Sequence, residues 1–280
     1  HGDFTLNLQT YTEDASINAK KVDEFMLMNG FSNIRFNKGN FTTGLRYESY
    51  LNALQDFDGR HNGNGIPFRF ANYKIDNLDI TIGNFYEQFG NGLIFRSYEE
   101  KNLGIDNVMD GILLKYSLSK GLQLKGFVGK QRFFFEHGPG IIRGLDAEIH
   151  LNQMFSYLEK SNTNILIGGS FVSRFQADAN PIYNLPENVG AFAIRNTISR
   201  EKISINAEYA YKYNDPAGGL TYNNFASGSA LITNLSYSPK PGLSIYIEAH
   251  RSDNMDFRSD RGANGKELTL SFIPTITKQH

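Results

Sequence analysis

From Ile203 to Tyr213 the odd positions are apolar and the even positions are Ser, Asn, Glu, Ala and Lys. Successive side chains of a strand point to opposite faces, so this stretch carries one apolar and one polar face. The pattern returns along the whole chain, from Phe4-Thr5-Leu6-Asn7-Leu8 to Leu268-Thr269-Leu270. The links between stretches alternate short and long. That combination predicts an all-β fold: a transmembrane antiparallel up-and-down β-barrel of about 14 strands, with short periplasmic turns and long extracellular loops. Residues 1–280 are read as one outer-membrane barrel domain.

Lengths support that reading. About ten residues at about 3.4 Å each, tilted by about 45°, rise about 24 Å, near the roughly 25 Å apolar band of such barrels. Strands of soluble sheets average about five or six residues, so a soluble sandwich with the same alternation fits less well. A solenoid would show an internal repeat, and none is visible.

Composition narrows the class. No run of about 18 apolar residues exists, which excludes a helical membrane protein. The mean hydropathy of −0.40 is compatible with a barrel, whose strands each turn one face to a polar interior. A formal net charge of −1 gives no bulk electrostatic case for nucleic acid. Absence of Cys excludes a disulfide framework and a thiolate metal site. His1-Gly2-Asp3 lacks the features of a signal peptide, so an exported protein would be numbered here from its mature chain. With no Trp, the interfacial girdles fall to Tyr and Phe: Tyr47, Tyr50, Tyr73, Tyr209, Tyr211, Tyr213 and Tyr237 sit toward strand ends.

Turn chemistry places the breaks. Asn37-Lys38-Gly39-Asn40, Asp76-Asn77, Ser119-Lys120-Gly121, Arg200-Glu201 and Pro239-Lys240-Pro241-Gly242 are short turns. Longer loops are expected at Asp56–Gly65, around His137-Gly138-Pro139-Gly140, at Asp178–Asn188, at Asp215-Pro216-Ala217-Gly218-Gly219 and at Ser252–Gly265. The last of these precedes a final strand with Leu268, Leu270 and Phe272. Short turns follow even-numbered strands, which puts both chain ends on the periplasmic side.

Eight-stranded barrels fill with their own side chains, whereas 16 to 18 strands leave a water channel. An intermediate barrel holds water or an internal plug. The first strand starts almost at residue 2, leaving no room for an N-terminal plug domain. The candidate is residues 86–108, a lumen-folded or capping loop. It follows Gly83-Asn84-Phe85 and reads Tyr86-Glu87-Gln88-Phe89-Gly90-Asn91-Gly92-Leu93, then Arg96, Glu99, Asn102, Gly104, Ile105, Asp106 and Asn107, with Asp110 and Gly111 after it. Its aromatic and aliphatic content is high for a solvated loop. Phe85, Tyr86, Glu87, Phe89, Arg96 and Asp106 are its candidate lumen residues.

This run resembles a signature of an uncharacterised outer-membrane β-barrel family, a domain of unknown function of Gram-negative lineages that use type-nine secretion. The similarity extends more loosely over the strands. It implies an integral outer-membrane location and no assigned reaction. The chain departs from that pattern at Lys278-Gln279-His280, which lacks the terminal aromatic that usually marks the last barrel strand; resembling chains run longer.

On the polar faces, Arg46, Glu48, Lys115, Lys125 and Asp146 are read as lumen-facing, together with Glu148, His150, Glu208, Lys212 and Glu248. Lys115 and Lys125 face each other across the Ser119–Gly121 turn. His150 beside Asp146 and Glu148, and His250 with Glu248, are metal or acid–base candidates by type, but such residues more often line a hydrated lumen and pair with neighbouring strands. Asp253, Asp256 and Asp260 lack EF-hand spacing, Gly63-Asn64-Gly65 and Gly90-Asn91-Gly92 precede no helix, and no Gly-x-Ser-x-Gly occurs. No catalytic residue, cofactor or metal site is expected. The expected function is a porin-like passive channel or a barrel scaffold, in contact with outer-membrane lipid. The alternative is a non-channel accessory subunit of an outer-membrane protein-export or barrel-assembly complex, in contact with other outer-membrane or periplasmic proteins.

Overall fold

The computed structural model describes residues 1–280 except 56, 102–103, 179–184, 216–225, 266 and 274–280. Asp56, Asn102, Pro216-Ala217-Gly218-Gly219, part of the Asp178–Asn188 loop and Lys278-Gln279-His280 therefore lie outside the described residues. The first five strands are β1 (Gly2–Gln9), β2 (Leu27–Lys38), β3 (Phe41–Leu51), β4 (Gly63–Ile75) and β5 (Leu78–Phe85). A separate two-residue ribbon follows, β6 (Glu99–Glu100) with β7 (Ile105–Asp106). Then come β8 (Met109–Ser119), β9 (Leu122–Phe133), β10 (Glu136–His150) and β11 (Thr163–Phe175). The last are β12 (Asn188–Arg200), β13 (Ile203–Asp215), β14 (Ala226–Lys240) and β15 (Leu243–Asp253). All but β6 and β7 form one 13-stranded antiparallel sheet in which each strand pairs with its neighbours in the chain.

The sheet curls. Arg132 of β9 bonds Glu48 of β3 at 2.7 Å, although three strands of the sheet lie between them. In a flat sheet, four steps of about 4.8 Å would hold them about 19 Å apart. Among the described residues, β1 pairs only with β2 and β15 only with β14.

One face of this sheet is apolar and exposed on nearly every strand, from Phe4 and Leu6 through Ile82, Leu145 and Ile194 to Ile245 and Ile247. The opposite face carries buried charges and packed inserts. Strands of 11 to 15 residues are common. At about 3.4 Å per residue and a tilt of about 45° they would rise about 26–36 Å, more than the roughly 25 Å apolar band of outer-membrane barrels. Tyr47, Tyr73, Tyr209, Tyr213 and Tyr237 lie exposed on the apolar side. Tyr50 does not: it is 5 % exposed and packs against Phe31, His61 and Phe135. It shares the parity of Arg46 and Glu48, which alternation alone should have given.

The two-residue turn after β2 carries Gly39 at φ +57°, the left-handed conformation that glycine accepts without strain. Short turns and long links alternate as expected, with two exceptions. A two-residue turn joins β9 to β10 at the long-loop end, and residues 151–162 form two helical turns, α1 (Leu151–Met154) and α2 (Ser156–Glu159), at the short-turn end. Leu151 and Asn152 continue the apolar–polar alternation of β10 in the sequence but belong to α1. His137-Gly138-Pro139-Gly140 lies inside β10, where a register shift between His137 and Ile141 absorbs the Pro.

The expected final strand is not formed among the described residues. After β15 the chain turns onto the buried face, where Met255, Phe257, Leu268 and Leu270 are buried and Arg258 bridges Thr269. Its apolar positions go to an internal cluster with Phe89 and Phe95 rather than to the outer face.

Candidate functional site

Residues 86–108 leave the sheet after β5. Asn84 Oδ1 accepts from the Arg69 backbone at 2.7 Å, just beyond Phe70 and Gly83, the last register pair of β4 with β5. The chain then runs over the buried face. Phe89, Leu93, Ile94 and Phe95 are fully buried among Phe127, Ile142, Val172, Ala191, Ala193 and Ala210. The small side chains on β12 and β13 give the insert its room. Each large apolar side chain so buried contributes about 1.5–3 kcal/mol. Residues 268–273 lie against the insert, joined by Arg96 N to Leu270 O at 2.8 Å and Phe272 N to Gly92 O at 2.9 Å.

Polar contacts fix the insert at three places. The first is a charge network. Arg46 donates to Glu48 and Glu99, each at 2.6 Å, and to Asp106 at 2.5 Å. Arg132 donates to Glu48 at 2.7 Å and to Asp106 at 2.6 Å. The Tyr86 hydroxyl donates to Asp106 at 2.8 Å, and its ring stacks on Phe68 with centroids 5.7 Å apart. The Arg46 guanidinium lies 5.0 Å over the same Phe68 ring. Burial pushes the Glu99 carboxyl above its ordinary value, against the pull of Arg46.

The second place is Glu87, which takes Lys115 at 2.5 Å and Lys125 at 3.0 Å. The two lysines are direct register partners on β8 and β9. Burial works to raise the Glu87 carboxyl, but the two ammonium groups outweigh it and hold it below the ordinary range. The third is Glu208, whose Oε2 accepts from the Asn91 backbone at 2.6 Å and side chain at 2.9 Å.

The remaining expected residues sit elsewhere on the same face. Asp146 accepts from Ser170 at 2.6 Å and Arg195 at 2.8 Å, and Glu148 accepts from Arg195 at 2.8 Å. Lys212 donates to the Asp256 carbonyl at 2.6 Å. His150 immediately precedes α1. Glu248 accepts from Tyr246 at 2.8 Å and lies 3.8 Å from His250. In the insert, Phe85 packs edge-on to Phe127 and Arg96 lies 4.0 Å over Phe272. Among the described residues no three His, Asp or Glu side chains gather as a metal site.

The sequence reading missed Arg132, Arg195 and Glu99 as partners. Arg195 was legible, because the apolar Ile194 and Ile198 on β12 share the opposite, outward parity. Arg132 was not: adjacent Gln131 and Arg132 are both buried at the end of β9, which breaks simple alternation.

Two cavities flank the charge network. One, of about 310 Å³, lies toward the long loops and is lined by Tyr50, His61, Glu99, Asp106 and Arg132 among others. The other, of about 410 Å³, lies toward the short turns and is lined by Arg35, Lys74, Asp79, Phe68, Tyr86 and Lys115 among others. Arg46, with Phe68 and Tyr86 beneath it and three carboxylates above it, stands between them.

A known family matches residues 1–280, the family of unknown function DUF6029. The chain belongs to this family. No curated protein sequence matches it. Among solved structures, this DUF6029 member is similar to Salmonella typhi OmpF in complex with daunomycin, with 12% identity and a TM-score of 0.48 over 96% of this chain and 81% of that one. It is also similar to Pseudomonas aeruginosa OccK8 (OprE), with 9% identity and a TM-score of 0.45 over 91% and 83% of the two chains. A third is the outer membrane protein opdK from Pseudomonas aeruginosa, with 10% identity and a TM-score of 0.40 over 93% and 83%. At such scores and identities these likenesses carry no function to the DUF6029 chain.

Proposed function

We propose that this DUF6029 chain is an integral outer-membrane β-barrel acting as a porin-like conduit for small solutes, with residues 86–108 as its constriction. The exposed apolar belt, set against a polar inner face, supports lipid on the outside. The observation that carries the conduit is the pair of charge-lined cavities on one wall, with Arg46 set between Glu99 and Asp106 of one and the Phe68 ring of the other. The β11–β14 side is packed with apolar side chains, so the water path runs along β3–β5 and β8.

Planar-bilayer recording of the purified chain tests this reading. Discrete conductance steps that grow when residues 86–108 are replaced by a short Gly/Ser linker support it. Silence from both proteins would end it. The same dense packing favours a second reading, a barrel scaffold that serves an outer-membrane protein complex without conducting. Recovery of a stoichiometric partner in mild detergent, together with bilayer silence, would select it.

A further inference from the structure

We propose that the cavity on the long-loop side of Arg46 is a binding site for a small organic cation bearing an ammonium or guanidinium head. The site rests on the cavity itself and stands whether or not the barrel conducts.

The walls carry the aromatic faces of Phe31, Tyr50, Phe57, Phe133 and Phe134. Ring faces present negative potential and attract cations, more so where water is thinned. This chain already uses them in that way. The Lys101 ammonium lies 5.1 Å over Phe31, and the Arg60 guanidinium lies 4.6 Å over Phe134 and 5.4 Å over Phe133. Both cations are about half exposed, Lys101 at 45% and Arg60 at 50%; Arg60 is held at the rim by Asp58 and Glu267, whereas among the described carboxylates Lys101 has only Glu99, at 4.0 Å.

Charge counting points the same way. Among the described residues five carboxylates line the cavity: Glu48, Asp58, Glu99, Asp106 and Glu267. Against them stand Arg60, Lys101 and Arg132 on the lining and Arg46 behind it, five negative groups against four positive. The shortfall falls on Glu99. Glu48 and Asp106 each engage both Arg46 and Arg132, whereas Glu99 has Arg46 at 2.6 Å and Lys101 only at 4.0 Å. His61 does not fill the gap, since burial holds its imidazole below the ordinary value and its Nδ1 lies 3.1 Å from the Asp58 carbonyl. A cavity of about 310 Å³ admits a head group with a short apolar body, which the five rings would cover.

The probe is choline, with glucose and glucuronate as the neutral and anionic comparators. Isothermal titration calorimetry of the wild-type chain in detergent should give saturable binding of choline and none of the comparators. Glu99→Gln, which keeps the shape and removes the charge, should weaken choline at least tenfold. A second measurement uses the absence of Trp from this chain: in Phe57→Trp, choline should shift the emission of the single indole. Unchanged choline affinity in Glu99→Gln, absence of choline binding to the wild type, or preferential binding of glucuronate would overturn the site. Bilayer recording separates the readings: saturable choline binding by a silent barrel keeps the site and retires the conduit, whereas conductance without choline binding does the reverse.

Discussion

Tyr86 and Asp106, twenty positions apart, are tied by a hydroxyl-to-carboxylate hydrogen bond of 2.8 Å at the two ends of the inward-folded insert. Asp106 also takes Arg46, so the insert is clipped to itself and to β3 at one point. Arg46→Ala leaves Glu48 and Asp106 to Arg132, and Glu99 to the more distant Lys101. Removing one partner from a buried ion pair costs about 3–5 kcal/mol. The expected result is a lower urea midpoint and a larger single-channel conductance than wild type, read by denaturation in detergent and by planar-bilayer recording.

Glu87→Gln addresses the opposite end of the insert. It leaves Lys115 and Lys125 facing each other with no carboxylate between them. In a salt gradient, the reversal potential should shift toward anions. The pH dependence follows from the depressed carboxyl of Glu87. A carboxylate held below its unfolded value adds stability above that value and loses it as pH falls through the folded one. The wild type should therefore exceed Glu87→Gln in thermal midpoint at neutral pH. The gap should close only in acid, below the ordinary glutamate value of about 4.3.

Alternation made the sheet legible because it reports which face meets which medium, and that is a local property of each strand. Ile203–Asp215 could be read residue by residue. The same rule misled at Leu268, Leu270 and Phe272, which lie on an internal segment rather than a strand facing lipid: Leu270 joins the cluster of Phe89 and Phe95, and Phe272 lies under Arg96. Periodicity tells that one side is buried but not what buries it. The insert was visible through its composition. Its partner Arg132 was not, since the contacts of Arg132 with Glu48 and Asp106 depend on curvature that brings β3 and β9 together.

Gly90→Ala should release the middle of the insert. Gly90 has φ +53°, and an added Cβ would lie 2.3 Å from Glu208 Oε2, the atom that accepts from Asn91. Strain at a positive φ and the displaced carboxylate together should cost more than about 1 kcal/mol. Faster proteolysis within residues 86–108, with the sheet intact by circular dichroism, is the expected outcome. Equal protease resistance would mean that Glu208 does not hold the insert.

The last prediction tests the outer face. Ile194 is 60% exposed at the centre of β12, on the side opposite Arg195. If lipid covers that side, Ile194→Arg places a charge in hydrocarbon at a cost of about 2–4 kcal/mol near the bilayer midplane. Ser199→Arg, on the inner parity of the same strand, adds the same side chain where water or polar groups receive it. Urea titrations of both variants folded into lipid vesicles should show a large loss for Ile194→Arg and a small one for Ser199→Arg. In water the order would invert, because an exposed isoleucine gains nothing from solvent and an arginine there is harmless. Equal stability of Ile194→Arg and wild type in vesicles, with a monodisperse chain in detergent-free buffer, would therefore remove lipid from the apolar face.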